Sequence, residues 1–313
     1  MHGTVVKSTG SWYVVRETGT GRLYRCRLRG RFKNQGLKVS NPLAVGDVVE
    51  ADLPDQAEGA GVIHRIEPRR NYIIRRSVHK SEHAHIVAAN LDQALLVVTL
   101  VSPATSFGFI DRFLVTAEAY HIPARLIFNK ADLYDADALD YQAQIAAMYE
   151  SIGYPSVLCA ALPEGQHEGQ NVGAVAALLP GRTSLLSGHS GVGKSTLLNA
   201  LVPDLNLKTA EISAFSDKGR HTTTFAEMLE VGPGTYLIDT PGIKELGLVD
   251  VPAAELAGYF PEMRALLGRC RYHNCQHTHE PGCAVREAVD SGRLAVTRYE
   301  SYLSMLADED NRH

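Results

Sequence analysis

The sequence predicts a multidomain chain in three parts: an N-terminal OB-type β-barrel over residues 1–68, a central α/β P-loop domain over 69–250 whose motifs run in circularly permuted order, and a C-terminal α-helical zinc-binding domain over 251–313. Three observations predict it. Short strand-like runs punctuated by glycine and proline fill the first 67 residues. Strand and helix patterns then alternate around a glycine-rich loop. Three of the five cysteines crowd together near the C-terminus. A length of 313 residues suits two or three domains.

In the first part, residues 5–6, 12–15, 23–28, 48–51 and 61–66 read as strands. Five short strands fit an OB barrel, a fold that commonly binds nucleic acid, and an SH3-like barrel fits the same count. Arg25, Arg27, Arg29 and Arg31 recur at every second position, so a strand would line them along one face. Residues 1–80 hold 15 Lys and Arg against 7 Asp and Glu, a net of +8, which leaves −12 on the remainder of a chain with formal charge −4. The overall charge argues against a simple nucleic-acid binder, whereas the basic first module suits a polyanionic partner. A merely solvated arginine face is the alternative.

In the second part, residues 94–100, 124–128, 156–159, 183–187, 228–231 and 236–238 read as strands, and 109–120, 138–151, 172–179 and 194–201 as helices. The alternation implies a parallel sheet covered by helices. The run Gly188-His189-Ser190-Gly191-Val192-Gly193-Lys194-Ser195, with Thr196 after it, lies between an apolar strand and a helix. Its glycines turn backbone N–H groups toward phosphate oxygens, Lys194 would reach the outer phosphates and Ser195 would ligate Mg²⁺.

Asn129-Lys130-Ala131-Asp132 follows a strand, as a guanine-reading motif should. The Asp132 carboxylate can accept from the paired N–H donors of guanine, which adenine lacks, so a dry site rejects adenine by leaving the carboxylate unpaired. Asn129 would brace the base edge and the Lys130 stem would cover its plane. The usual companion, a Ser-Ala pair offering a backbone N–H to the guanine oxygen, has its nearest match in Cys159-Ala160. Asp239-Thr240-Pro241-Gly242 supplies a carboxylate for the Mg²⁺ shell and, in Gly242, an N–H to sense the γ-phosphate. Residues 213–224 occupy the place of a switch loop, where Thr223, or its neighbour Thr222, should reach Mg²⁺. Ile243 stands where many GTPases carry a water-orienting Gln. His221 is therefore the candidate catalytic residue, with an unremarkable loop histidine as the alternative.

These motifs make the domain a GTPase, and their order is displaced. The phosphate loop ordinarily opens such a domain, yet here the guanine motif precedes it and DTPG comes last. Cutting a GTPase fold before its guanine-reading half and rejoining the old ends gives this order, which surface termini permit.

In the third part, Cys270, Cys275, His277 and Cys283 offer three thiolates and an imidazole, a closed tetrahedral Zn²⁺ set with no open position for catalysis. His273 and His279 are rival ligands. An odd cysteine count with one tight cluster suits metal in a reducing compartment rather than disulfides. No stretch is long and apolar enough to span a membrane and no signal pattern opens the chain, so the expectation is a cytoplasmic protein; a monomer is expected.

Taken together, the chain resembles the bacterial circularly permuted family called ribosome small-subunit-dependent GTPase A (RsgA, also YjeQ or YloQ). The resemblance rests on the N-terminal barrel, NKxD before GxxGVGKS, the run Gly219-Arg220-His221-Thr222-Thr223-Thr224, DTPG, and the Cys-x4-Cys-x-His-x5-Cys finger followed by Glu280-Pro281-Gly282-Cys283-Ala284-Val285. It implies a factor that binds GTP or GDP with Mg²⁺ and one structural Zn²⁺. It further implies action late in maturation of the small ribosomal subunit, stimulation by that subunit, and contact with ribosomal RNA through the barrel and zinc domain.

Overall fold

A computed structural model describes residues 1–30, 41–53, 60–76, 84–162, 170–202, 226–239 and 251–307. Strands β1 (His2–Ser8), β2 (Tyr13–Glu17), β3 (Leu23–Leu28), β4 (Val48–Asp52) and β5 (Gly61–Ile66) form the barrel. It closes in the order β1-β2-β3-β5-β4-β1. The pairing of β3 with β5 is parallel and the others are antiparallel, the Greek-key arrangement of an OB barrel. Alternation along the strands sends Val5, Tyr13, Val15, Cys26, Val49, Ala51 and Ile63 inward. Arg25 and Arg27 flank Cys26 on β3 and point out, so the arginine face read from the sequence exists as far as Arg29, and Arg31 lies outside the described residues.

A hairpin follows that the sequence pattern did not predict: β6 (Tyr72–Arg76) pairs antiparallel with β7 (Ala84–Ala89). It is joined to the barrel by a bridge between Val45 and Ala88. Below it, fully buried Asp47 accepts two bonds from Arg69, at 2.6 and 2.7 Å.

The central sheet comprises β8 (Gln93–Val98), β9 (Ala124–Phe128), β10 (Ser156–Leu158), β11 (Thr183–Ser187), β12 (Glu227–Gly232) and β13 (Thr235–Asp239). Helices α1 (Phe107–Ala119), α2 (Ala136–Ser151), α3 (Val172–Ala176) and α4 (Lys194–Leu201) connect them. The helix expected through residue 179 is thus shorter, ending in turns after Ala176. Side-chain oxygens of Ser106 and Asp135 cap α1 and α2 by accepting from Phe109 N and Ala138 N.

The spatial order is β10-β9-β8-β11-β13-β12, parallel throughout except for β12. Counting from β11, through β12 and β13, and then from β8 onward turns this order into 6-5-4-1-3-2, so the permutation is visible in space. β8 is buried on both faces, as a central parallel strand requires. β12 also meets the barrel: Lys7 of β1 pairs with Glu227 at 3.0 Å, and Arg16 of β2 forms an ion pair with Glu230.

The C-terminal part has a 3-10 turn at Leu256–Tyr259, α5 (Pro261–Arg264), the cysteine loop, α6 (Ala284–Asp290) and α7 (Val296–Leu306). Its small core of Leu256, Phe260, Met263, Val285, Leu294, Tyr302 and Met305 takes in Val115 from α1. Beside it, Arg298 of α7 is 1% exposed and binds Asp111 of α1 and Glu262 of α5, each at 2.7 Å. The Tyr149 hydroxyl of α2 donates to the same Asp111 oxygen at 2.7 Å.

Candidate nucleotide and metal sites

The phosphate loop leaves β11 at Gly188 and enters α4 through Gly193, which adopts the left-handed region at φ 92°. Side chains are excluded at both glycines. A Cβ on Gly188 would lie 2.4 Å from the Val97 carbonyl, and one on Gly193 would lie 2.4 Å from Asn129 Nδ2. Val192 anchors the loop in a cluster with Leu95, Val97, Ile127 and Leu197. His189 stacks on Phe109 of α1, ring centroids 3.7 Å apart. Lys194 folds back over the loop, donating to the carbonyls of Gly188 at 2.7 Å and His189 at 2.8 Å. Its ammonium is therefore held above the cradle where phosphate oxygens would gather. Ser195 and Thr196 are half-buried on the first turn of α4, at the positive end of its dipole, and Ser190 and Gly191 form the exposed lip.

The segment expected to read guanine stands beside this loop, although the two are far apart in sequence. Asn129 is fully buried; its Nδ2 donates to the Val192 carbonyl at 2.9 Å, and its Oδ1 accepts from Ala161 N at 3.0 Å. Asn129 is thus a strut between the phosphate loop and the companion loop, a role the sequence pattern did not reveal. Lys130 adopts φ 62° and donates to the Ser102 carbonyl. Asp132, in the 3-10 turn that follows, is exposed.

The companion loop departs from expectation. Cys159 Sγ lies 3.6 Å from Asn129 Oδ1, and burial pushes its thiol up to about 12, so it stays protonated and can donate to that oxygen as a serine would. The Ala160 N–H, expected to face the guanine oxygen, instead donates to the Gln170 carbonyl at 2.9 Å. It is already committed, because Ala160 and Gln170 form an isolated antiparallel bridge.

Asp239 ends β13, paired in register with Leu186 of β11, so the backbone carries it toward the phosphate-loop edge of the sheet. His221, Thr222, Thr223, Gly242 and Ile243 lie outside the described residues.

The expected metal-ligand set comes together. One donor atom each from Cys270, Cys275, His277 and Cys283 lie within 4.8 Å of one another. His277 Nδ1 is 3.5 Å from Cys270 Sγ and 3.4 Å from Cys283 Sγ. A tetrahedral Zn²⁺ with Zn–S about 2.3 Å and Zn–N about 2.0 Å has S–N edges of about 3.5 Å, so these residues fit the ion. Burial lowers the His277 pKa and favours the neutral imidazole that a metal takes. Its rivals His273 and His279 are exposed. The knuckle is braced on both sides. Glu280 accepts from the N–H groups of Gln276, Thr278 and His279, which holds its carboxyl down to about 2. The hydroxyls of Tyr299 and Tyr302 donate to the carbonyls of His277 and Gln276.

Comparison with known proteins agrees with this geometry. The model of the RsgA GTPase family matches residues 66–249, and that of the RsgA N-terminal domain matches residues 2–63. A protein of Bacteroides fragilis named small ribosomal subunit biogenesis GTPase RsgA is 52% identical over 310 residues, covering 99% of this chain and 97% of its own. One of the same name from Christiangramia forsetii is 48% identical over 314 residues, covering 100% and 98%. Among solved structures, YjeQ from Thermotoga maritima superposes with a TM-score of 0.76 at 35% identity, covering 100% of this chain and 99% of its own. YloQ, described as a circularly permuted GTPase, gives 0.73 at 29%, covering 100% and 96%.

Proposed function

The chain belongs to the RsgA GTPase family, and we propose that it hydrolyses GTP during late assembly of the small ribosomal subunit, stimulated by that subunit and holding ribosomal RNA through its barrel and zinc domain. The observation that carries this reading is the convergence of a guanine motif, a phosphate loop and a Cys3His finger in one permuted chain, matched end to end by relatives named for small-subunit biogenesis.

In this reading, Asp132 selects guanine, Lys130 covers the base, and Asn129 keeps the base and phosphate loops at a fixed separation. Lys194 leaves the Gly188 and His189 carbonyls for the outer phosphates. The loop N–H groups and the α4 dipole stabilise charge that gathers there as the γ-phosphoryl departs. Ser195, Thr223 and Asp239 would hold Mg²⁺, which when bound neutralises charge on the β- and γ-phosphates. With Ile243 unable to orient water, His221 would take that task on the subunit. The Zn²⁺ held by Cys270, Cys275, His277 and Cys283 is structural, supplying cohesion that a core this small lacks. The chain acts as a cytoplasmic monomer, and no helix of the described residues is long and apolar enough to cross a membrane.

Co-sedimentation with purified small ribosomal subunits tests the partner. Retention should be strong with a non-hydrolysable GTP analogue and weak with GDP. Equal absence from the subunit pellet in both states contradicts the reading.

A further inference from the structure

The arginine face of the barrel has an internal organisation that a solvated surface does not need. β2 and β3 pair Tyr13 with Cys26, Val14 with Arg25 and Arg16 with Leu23. Continuing that register sets Trp12 opposite Arg27 and diagonal to Arg25, on the outward face. The guanidinium carbons of Arg25 and Arg27 each lie 3.8 Å from the centroid of the Trp12 ring. On its other side Arg27 is in register with Val62, which is 37% exposed.

Charge pairing separates these two residues from several other cations of the N-terminal part, and their place on Trp12 separates them from the rest. Lys7, Arg16, Arg65 and Arg69 all bind carboxylates. Among the described residues no carboxylate pairs with Arg25, Arg27 or Arg29. Two like charges are thus held within 3.8 Å of one indole centroid, with no carboxylate paired to either among the described residues. Arginine forks recognise phosphate in a bidentate way, and fixing them beforehand removes the rotamer entropy that binding would otherwise take. Alternate residues on one strand face are about 6.6 Å apart, comparable with successive phosphates along an RNA strand.

We propose that Trp12, Arg25 and Arg27 form a pre-ordered clamp for two consecutive phosphodiesters of an RNA backbone, in which the indole acts on the arginines and does not stack on a base. The clamp rests on the reading of the barrel as an RNA-binding module, and names the chemical group that it grips. It reads no sequence, because the indole that could stack a base is engaged by guanidinium groups.

A double-mutant cycle on the full chain tests it, with affinity for purified small ribosomal subunits measured over a salt series. Arg25→Gln with Arg27→Gln should weaken binding and reduce the salt slope by about 1.4, the release of two single-strand counterions. Trp12→Ala should weaken binding about 5-fold in the wild-type background, a fold-change typical of a lost cation–π pair. It should do nothing in the Arg25→Gln/Arg27→Gln background, and Trp12→Phe, which keeps an aromatic face, should restore most of the affinity. An equal loss from Trp12→Ala in both backgrounds means that the indole touches RNA itself, and overturns the clamp. So does a Trp12→Ala variant that binds like wild type while the double glutamine variant is weakened. If the double glutamine variant binds as wild type at every salt concentration, the reading of this face as an RNA surface fails first, and the clamp with it.

Discussion

Replacing Arg298 with Met should loosen the zinc domain from the GTPase domain while leaving both folded. Arg298 is 1% exposed and Asp111 is fully buried. Burial opposes the Arg298 charge, but Asp111 and Glu262 outweigh it and raise the pKa. Burial, reinforced by Asp111, also pushes the Tyr149 hydroxyl well up, so it remains an O–H donor to the carboxylate. Removing the guanidinium leaves Asp111 with Tyr149 as its one remaining side-chain partner among the described residues, where its Oδ2 already has none. Breaking a buried pair by deleting one partner costs about 3–5 kcal/mol. With a urea m-value of about 2 kcal/mol/M, the undocking midpoint should fall by about 1.5–2.5 M. Release of Zn²⁺ to a chromogenic chelator reports the C-terminal part, whereas fluorescence of the chain's single tryptophan, Trp12, reports the barrel. Arg298→Met should advance the first and leave the second. Arg298→Met combined with Asp111→Asn should recover part of the loss, because the stranded charge is gone. If zinc release in urea is unchanged by Arg298→Met, the buried network does not hold the domains together.

Further outcomes follow from the two sites. Asp132→Asn should weaken GTP at least tenfold, about the 1.4 kcal/mol of one lost charge-assisted hydrogen bond, and improve xanthosine triphosphate; competition binding with both nucleotides checks it. Purified wild-type protein should carry one Zn²⁺ per chain by elemental analysis, and Cys275→Ser or Cys283→Ser should lose it. Cys159 should resist iodoacetamide from pH 7 to 9, because its folded pKa of about 12 lies above that window and the thiolate is scarce; Cys159→Ser should keep GTP affinity within about 3-fold, since a hydroxyl also donates to Asn129. His221→Ala should leave GTP binding intact and remove most subunit-stimulated hydrolysis in a single-turnover assay.

What the sequence made legible was local or carried by fixed spacing. The barrel strands announced themselves by alternation, the phosphate loop by its glycines, and the zinc set by cysteine density, each governed by neighbours within a few residues. The hairpin β6–β7 escaped because Tyr72–Arg76 ends in two arginines and Ala84–Ala89 is half alanine, so neither has a clear alternating pattern. It is held instead by contacts from distant segments, such as Asn41 to Ile86 and Val45 to Ala88. Arg298 read as one more helix charge, since its partner Asp111 is 187 residues away. Asn129 read as a base contact for the same reason: the Val192 carbonyl that it grips is distant in sequence. The commitment of Ala160 to Gln170 depends on a loop closure that no motif encodes.

Hydrolysis of GTP under single-turnover conditions, with and without saturating small ribosomal subunits, tests the central claim most directly. Slow basal turnover with a large acceleration by the small subunit, absent with the large subunit, is the predicted result. A rate indifferent to small subunits that nonetheless bind the protein would contradict it, and would make the chain a nucleotide-gated RNA-binding protein whose hydrolysis is incidental.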